Sequence, residues 1–157
     1  MTIRLKHLNS LSFVCLILAI AFPVHAAENG QKTTLVRILT KKNPAAILAE
    51  VAMTDAEQET GLMYRSSLAE NQGMLFPQDP PRRMQMWMKN TYIPLDMIFV
   101  GTEGRITMIA ESTQPLSLDS IGPAEKVAAV LEVPAGTVKK LSIEEGDTVE
   151  YSLPTQR

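Results

Sequence analysis

Beyond residue 32, apolar residues come in short β-prone runs separated by proline, glycine and asparagine, and this punctuation constrains the fold more than any other feature. Thr33–Thr40 (TTLVRILT) is β-rich and partly alternating, the pattern of a strand, and Lys41-Lys42-Asn43-Pro44 turns the chain into a second strand over Ala46–Ala52. Met84–Met88, Leu95–Val100, Arg105–Glu111, Val127–Val133 and Thr148–Leu153 read as further strands. Gly101-Thr102-Glu103-Gly104 is a hairpin-like turn between two of them. Met74-Leu75-Phe76 is a short apolar segment, and Pro77, Pro80 and Pro81 predict irregular backbone after it. Thr54-Asp55-Ala56-Glu57 fits a capping box that opens a helix of about two turns, with Gly61 as its stop. Ser67–Glu70 predicts another, weaker turn of helix, and residues 135–143 a short one. Seven or eight short strands with two or three small helices predict a mostly β single domain, a β-sandwich or partly open barrel, over residues 33–154.

The amino-terminal segment has a different character. Arg4, Lys6 and His7 precede an apolar run from Leu11 to Phe22, then Pro23 and the small-residue site Val24-His25-Ala26. A basic head, a short apolar middle and a V-x-A end are the parts of a secretory signal peptide, assigned to residues 1–26 and followed by a flexible leader over 27–32. The run is shorter than the roughly 20 residues that cross a bilayer, so no membrane span is expected after cleavage. The expected location is the periplasm or the exterior.

Cleavage would leave 131 of the 157 residues, with 13 basic side chains against 17 acidic. Both histidines (His7, His25) and the one cysteine (Cys15) would leave with the leader. A chain without imidazole or thiol builds no Ser-His-Asp triad, cysteine nucleophile, disulfide or thiolate-rich zinc site. The acidic balance and the lack of a glycine-rich phosphate loop speak against nucleotides and nucleic acid. No cofactor is expected, and the residues do not set the oligomeric state.

The remaining polar residues offer four constellations. Lys89, Asn90 and Thr91 with Asp96 would gather an ammonium, an amide, a hydroxyl and a carboxylate on one loop, either to build the loop or to bind a small polar ligand. Arg65 presents a planar fork for a carboxylate or phosphate, or for backbone carbonyls that fix the chain. Asp96, Glu111 and Glu132 would hydrolyse a glycan if two of them shared a cleft about 5–10 Å apart, or hold Ca²⁺ or Mg²⁺. Met84, Met86 and Met88 fall on one side of a strand, where soft thioethers would either bind Cu(I) or fill core. Trp87 then faces the other way, either to pack, its expected role, or to offer a stacking platform.

The ordered set Gly61-Leu62-Met63-x-Arg65, Gly73-Met74-Leu75-Phe76, Trp87-Met88-Lys89-Asn90-Thr91-x-x-Pro94-Leu95-Asp96-x-x-Phe99, Leu131-Glu132-x-x-Ala135-Gly136 and Gly146-Asp147-x-Val149 resembles the family called domain of unknown function 192 over roughly residues 47–152. The resemblance implies a compact, mostly β domain, often exported, with no established reaction, cofactor or partner. Met84 and Met86 depart from the aromatic or aliphatic residues that the family often has there. The expected activity is that of an exported binding or accessory protein of the cell envelope rather than an enzyme. Its candidate ligand-binding residues are Arg65, Lys89, Asn90, Thr91, Asp96 and Glu132, with no catalytic residue assigned.

Overall fold

The computed structural model describes residues 32–155. The signal-peptide reading of residues 1–26, and the leader up to residue 31, lie outside the described residues. Seven strands form one sheet: β1 (Thr33–Leu39), β2 (Ala45–Val51), β3 (Gln72–Arg82), β4 (Leu95–Gly101), β5 (Ile106–Ala110), β6 (Val127–Pro134) and β7 (Thr148–Glu150). Two short helices, α1 (Asp55–Thr60) and α2 (Thr137–Leu141), complete the fold. The order across the sheet is β5-β4-β6-β3-β2-β1-β7, and every pair is antiparallel except β2–β3, which α1 connects.

The two outer strands of that order meet at one end. Arg105, just before β5, bridges to Thr148, and Val149 N–H donates to the Gly104 carbonyl at 2.7 Å. Ile106 N–H donates to Asp147 O at 2.9 Å, while Gly146 N–H donates back to Ile106 O at 2.8 Å. The sheet is thus a curled half-barrel, the partly open form of the expected architecture.

Two apolar layers lie on its two faces. The concave face is filled by alternating residues of all seven strands, among them Val36, Ile47, Leu75, Ile98, Ile106, Leu131 and Val149, and is plugged by Val138 and Ile143. The convex face of β3, β6 and β4 carries Met74, Phe76, Met97, Phe99 and Val130 under a cover that includes Leu62, Met84 and Met88. With apolar partners on both faces, the central strands lose the in–out alternation of a half-exposed sheet. All seven residues of β4 are buried.

Several local expectations hold. Thr54 Oγ1 accepts from Glu57 N–H at 3.2 Å, and Glu57 Oε2 accepts from Thr54 N–H at 2.8 Å, so the capping box is formed. Gly61 follows with φ 47°. Others change. β3 runs on through Pro77, Pro80 and Pro81 to Arg82, where irregular backbone was expected, because its pairing with β6 slips between Pro77 and Arg82. Proline, which has no N–H to give a ladder, is tolerated at such an irregularity. Residues 84–88 form no full strand; a single bridge joins Met86 to Ile121. Ser67–Glu70 contains no helix, only a turn closed by Gln72 N–H on Ala69 O at 2.9 Å. The last strand stops at Glu150 rather than Leu153.

Candidate functional site

A cleft of about 340 Å³ opens between α1 with the turn after it and the segment 82–87. Asp55, Gln58 and Glu59 come from α1, and Leu62 and Met63 from the turn. The facing wall is Arg82, Arg83, Met84 and Trp87, with Thr91, Phe76 and Glu132 completing the lining. A neighbouring cavity of about 440 Å³ shares Asp55, Gln58 and Arg82 and reaches Met53, Pro80 and Leu153.

The 82–91 wall is held from outside by the long loop after β5. Met86 and Ile121 exchange backbone hydrogen bonds of 2.8 and 2.9 Å, Met88 N–H donates to Ser117 O at 3.0 Å, and Leu116 N–H donates to Thr91 O at 3.2 Å. The close approach needs Gly122, where a Cβ would lie 2.2 Å from the Met84 carbonyl oxygen.

Glu132 is the unusual group of the cleft. It sits mid-strand in β6, directly across from Met74 of β3 and Met97 of β4, and is only 4% exposed. Among the described residues its carboxyl has no hydrogen-bond partner. Among the described residues no buried side-chain oxygen is both sealed and unpartnered, so the Glu132 oxygens keep their small access to the cleft. Burial in this apolar surrounding pushes the carboxyl up to about 8, so it is mostly protonated at neutral pH. A neutral carboxyl offers one donor and one acceptor.

The other candidate residues separate from it. Asp96 is directly across from Val133, one residue beyond Glu132, and successive side chains of a strand point to opposite faces. Asp96 therefore enters the concave core, where Oδ1 accepts from Ser112 N–H at 2.8 Å and Oδ2 from Val138 N–H at 2.9 Å. It pins the turn after β5 and the first turn of α2, and both oxygens are occupied. Glu111 is exposed. The paired-carboxylate expectation is corrected accordingly: Asp96 and Glu132 lie on opposite faces of the sheet and Glu111 lines neither cavity, so the two-acid glycan hydrolase loses its geometry, and among the described residues these acids form no cluster for a cation.

Arg65 makes a two-pronged pair with Glu50, Nη1 to Oε1 at 2.6 Å and Nη2 to Oε2 at 2.5 Å, which fastens the turn after α1 to β2. Asn90 has φ 55° and donates to the Tyr64 hydroxyl at 2.8 Å. The Lys89 ammonium lies 4.9 Å from the centre of the Trp87 ring, a cation–π contact at the cleft rim. Thr91 donates to the Lys89 carbonyl at 3.2 Å. Of the six candidates, then, only Thr91 and Glu132 line the cleft, and Lys89 adjoins it.

Two further expectations are settled by burial. Met84 and Met88 are buried in the convex-face layer and Met86 packs against it partly buried; Met84 and Met86 border the cleft but Met88 does not, so the three thioethers share no open site and fit the core-filling alternative. Trp87, expected to pack, is 45% exposed and lines the cleft. Arg82 and Arg83 escaped the sequence reading, although an arginine pair after Pro80-Pro81 and four residues before the tryptophan was the available signal.

The family model for domain of unknown function 192, described as an uncharacterized ACR, matches residues 36–151. No curated protein matches the chain. Crystal structures similar to it include the following two. One, of a candidate transcription regulator from Sinorhizobium meliloti 1021, is 42% identical with a TM-score of 0.74, covering 77% of this chain and 95% of that one. The other, of a protein of unknown function from Novosphingobium aromaticivorans DSM 12444, is 37% identical with a TM-score of 0.76, covering 83% and 94%.

Proposed function

Since the chain belongs to the domain of unknown function 192 family, which carries no assigned activity, we propose its function from the cleft itself: an exported small binding protein that holds a small polar ligand between α1 and the 82–87 wall. The observation that carries this reading is the Glu132 carboxyl, buried mid-strand without a hydrogen-bond partner yet open to the cleft. Leaving a buried polar group unpaired costs about 1–3 kcal/mol. A ligand that pairs with it recovers that cost, and unpaired buried acids in clefts mark functional sites for this reason. Export is supported by the basic head, apolar run and small-residue site of residues 1–26.

Amide-shift mapping tests the cleft. The protein purified from cells is titrated with sugars, peptidoglycan fragments and polar metabolites. Binding is expected to move the Trp87 indole, Thr91 and Glu132 signals, and Glu132→Leu to weaken it at least tenfold. Shifts confined to other surfaces would end this reading.

A further inference from the structure

The chemistry of the cleft walls narrows the ligand, on the reading that the cleft is a binding site. Arg82 is held by two neutral amides: Nε donates to Gln78 Oε1, and Nη2 to Gln58 Oε1 at 3.2 Å. Those amides are themselves fixed. Gln58 donates to the carbonyls of Ala52 and Pro77 at 3.2 and 3.0 Å, and Gln78 donates to Gln58 Oε1 and to the Phe76 carbonyl at 3.2 and 3.3 Å. The guanidinium is therefore oriented without being neutralised. Neither Arg82 nor Arg83 forms an ion pair among the described residues, and the Lys89 ammonium over Trp87 adds a third cation at the same rim. Asp55 and Glu59 also line the cleft, but both are exposed on α1 and neither is fixed by a partner.

The lining also supplies apolar surface from Leu62, Met84, Phe76 and Trp87. A fixed cation at the mouth and a partnerless carboxyl further in are two separate demands on one occupant. We propose that the cleft binds a small organic monoanion with an amide or ketone carbonyl some bonds from its charge, the charge meeting Arg82 and Arg83 and the carbonyl accepting a hydrogen bond from the Glu132 carboxyl. Its apolar body lies against Trp87 and Met84. The volume, near the lower end of the range of about 300–1,000 Å³ for small-molecule sites, suits such a compound.

Trp87 is the only tryptophan in the chain and reports the test directly. Its fluorescence is followed at pH 6.5 against four probes: N-acetylphenylalanine, its neutral amide, 3-phenylpropionate (no amide carbonyl) and phenethylamine (a cation). N-acetylphenylalanine is expected to bind at least tenfold tighter than each of the others. Arg82→Gln should erase its advantage over the amide while keeping its advantage over 3-phenylpropionate. Raising the pH through 8 should weaken it in the parent protein but not in Glu132→Gln, whose amide still donates. Equal or tighter saturable binding of the neutral amide or of phenethylamine overturns the anion assignment and leaves the cleft reading standing. No saturable response to any of the four also overturns this proposal, and the wider amide-shift titration then decides separately whether the cleft binds anything.

Discussion

Two buried acids, close in the fold and opposite in role, show how strand geometry assigns chemistry. Asp96 receives two backbone N–H groups and belongs to the framework. Glu132 receives none and stays open to the cleft. Residue type and spacing do not distinguish them; only the register of β4 against β6 places one on each face. The unpaired acid has a thermodynamic signature. In an unfolded chain its carboxyl titrates near 4.5, whereas in the folded protein burial raises it to about 8. Between those values the folded state holds a proton that the unfolded state has lost. Stability from this group is therefore full below about 4.5, falls as pH rises through the interval and levels off above about 8. From pH 6 to pH 8 the loss is on the order of 2–3 kcal/mol. Urea unfolding at pH 6 and pH 9 should show that loss in the parent protein and not in Glu132→Gln; parallel behaviour of the two would mean that the carboxyl is not held neutral.

At the scale of elements, the cleft depends on a segment that is barely regular. Residues 84–88 alternate in burial as a strand would, with Met84 and Met88 inward and Trp87 outward, yet the Met86–Ile121 bridge and the hydrogen bond from Met88 N–H to Ser117 O are what tie their backbone to the loop after β5. Gly122 permits that contact. Gly122→Ala should cost about 1–3 kcal/mol, the usual penalty for forcing extra volume into a packed place. Because the same segment carries Trp87, the variant should also shift the tryptophan emission. A stability and an emission spectrum both unchanged would show the wall to be independent of this approach. The strands, the capping box of α1 and the Gly61 stop were legible in the sequence because each depends on neighbours within a few residues. The continuation of β3 through three prolines was not, because it depends on the slip of its pairing with β6. The site was half legible for a similar reason. Glu132 stood out as an acid inside an apolar run and Thr91 as part of a polar loop, but Arg82 gains its meaning from Gln58 and Gln78, which the fold brings to it.

On the scale of the whole molecule, one sheet supplies two cores, and the cleft belongs to the convex one, beside β3 and β6. Trp87 and Arg82 are exposed and belong to neither core cluster, so changes there are expected to leave the half-barrel and its closure at Gly104–Ile106 intact. The proposed export belongs to this scale as well. Mass spectrometry of the protein recovered from cells should find Ala27 as its first residue, and an intact Met1 on the working protein would refute processing. The described ends of the domain lie together: the Lys32 ammonium donates to the Thr155 carbonyl at 3.1 Å, and the Thr34 hydroxyl donates to the Ser152 carbonyl at 2.7 Å. Whatever is tied to either end therefore attaches at a single corner, beside Leu153 and the cavity that adjoins Arg82.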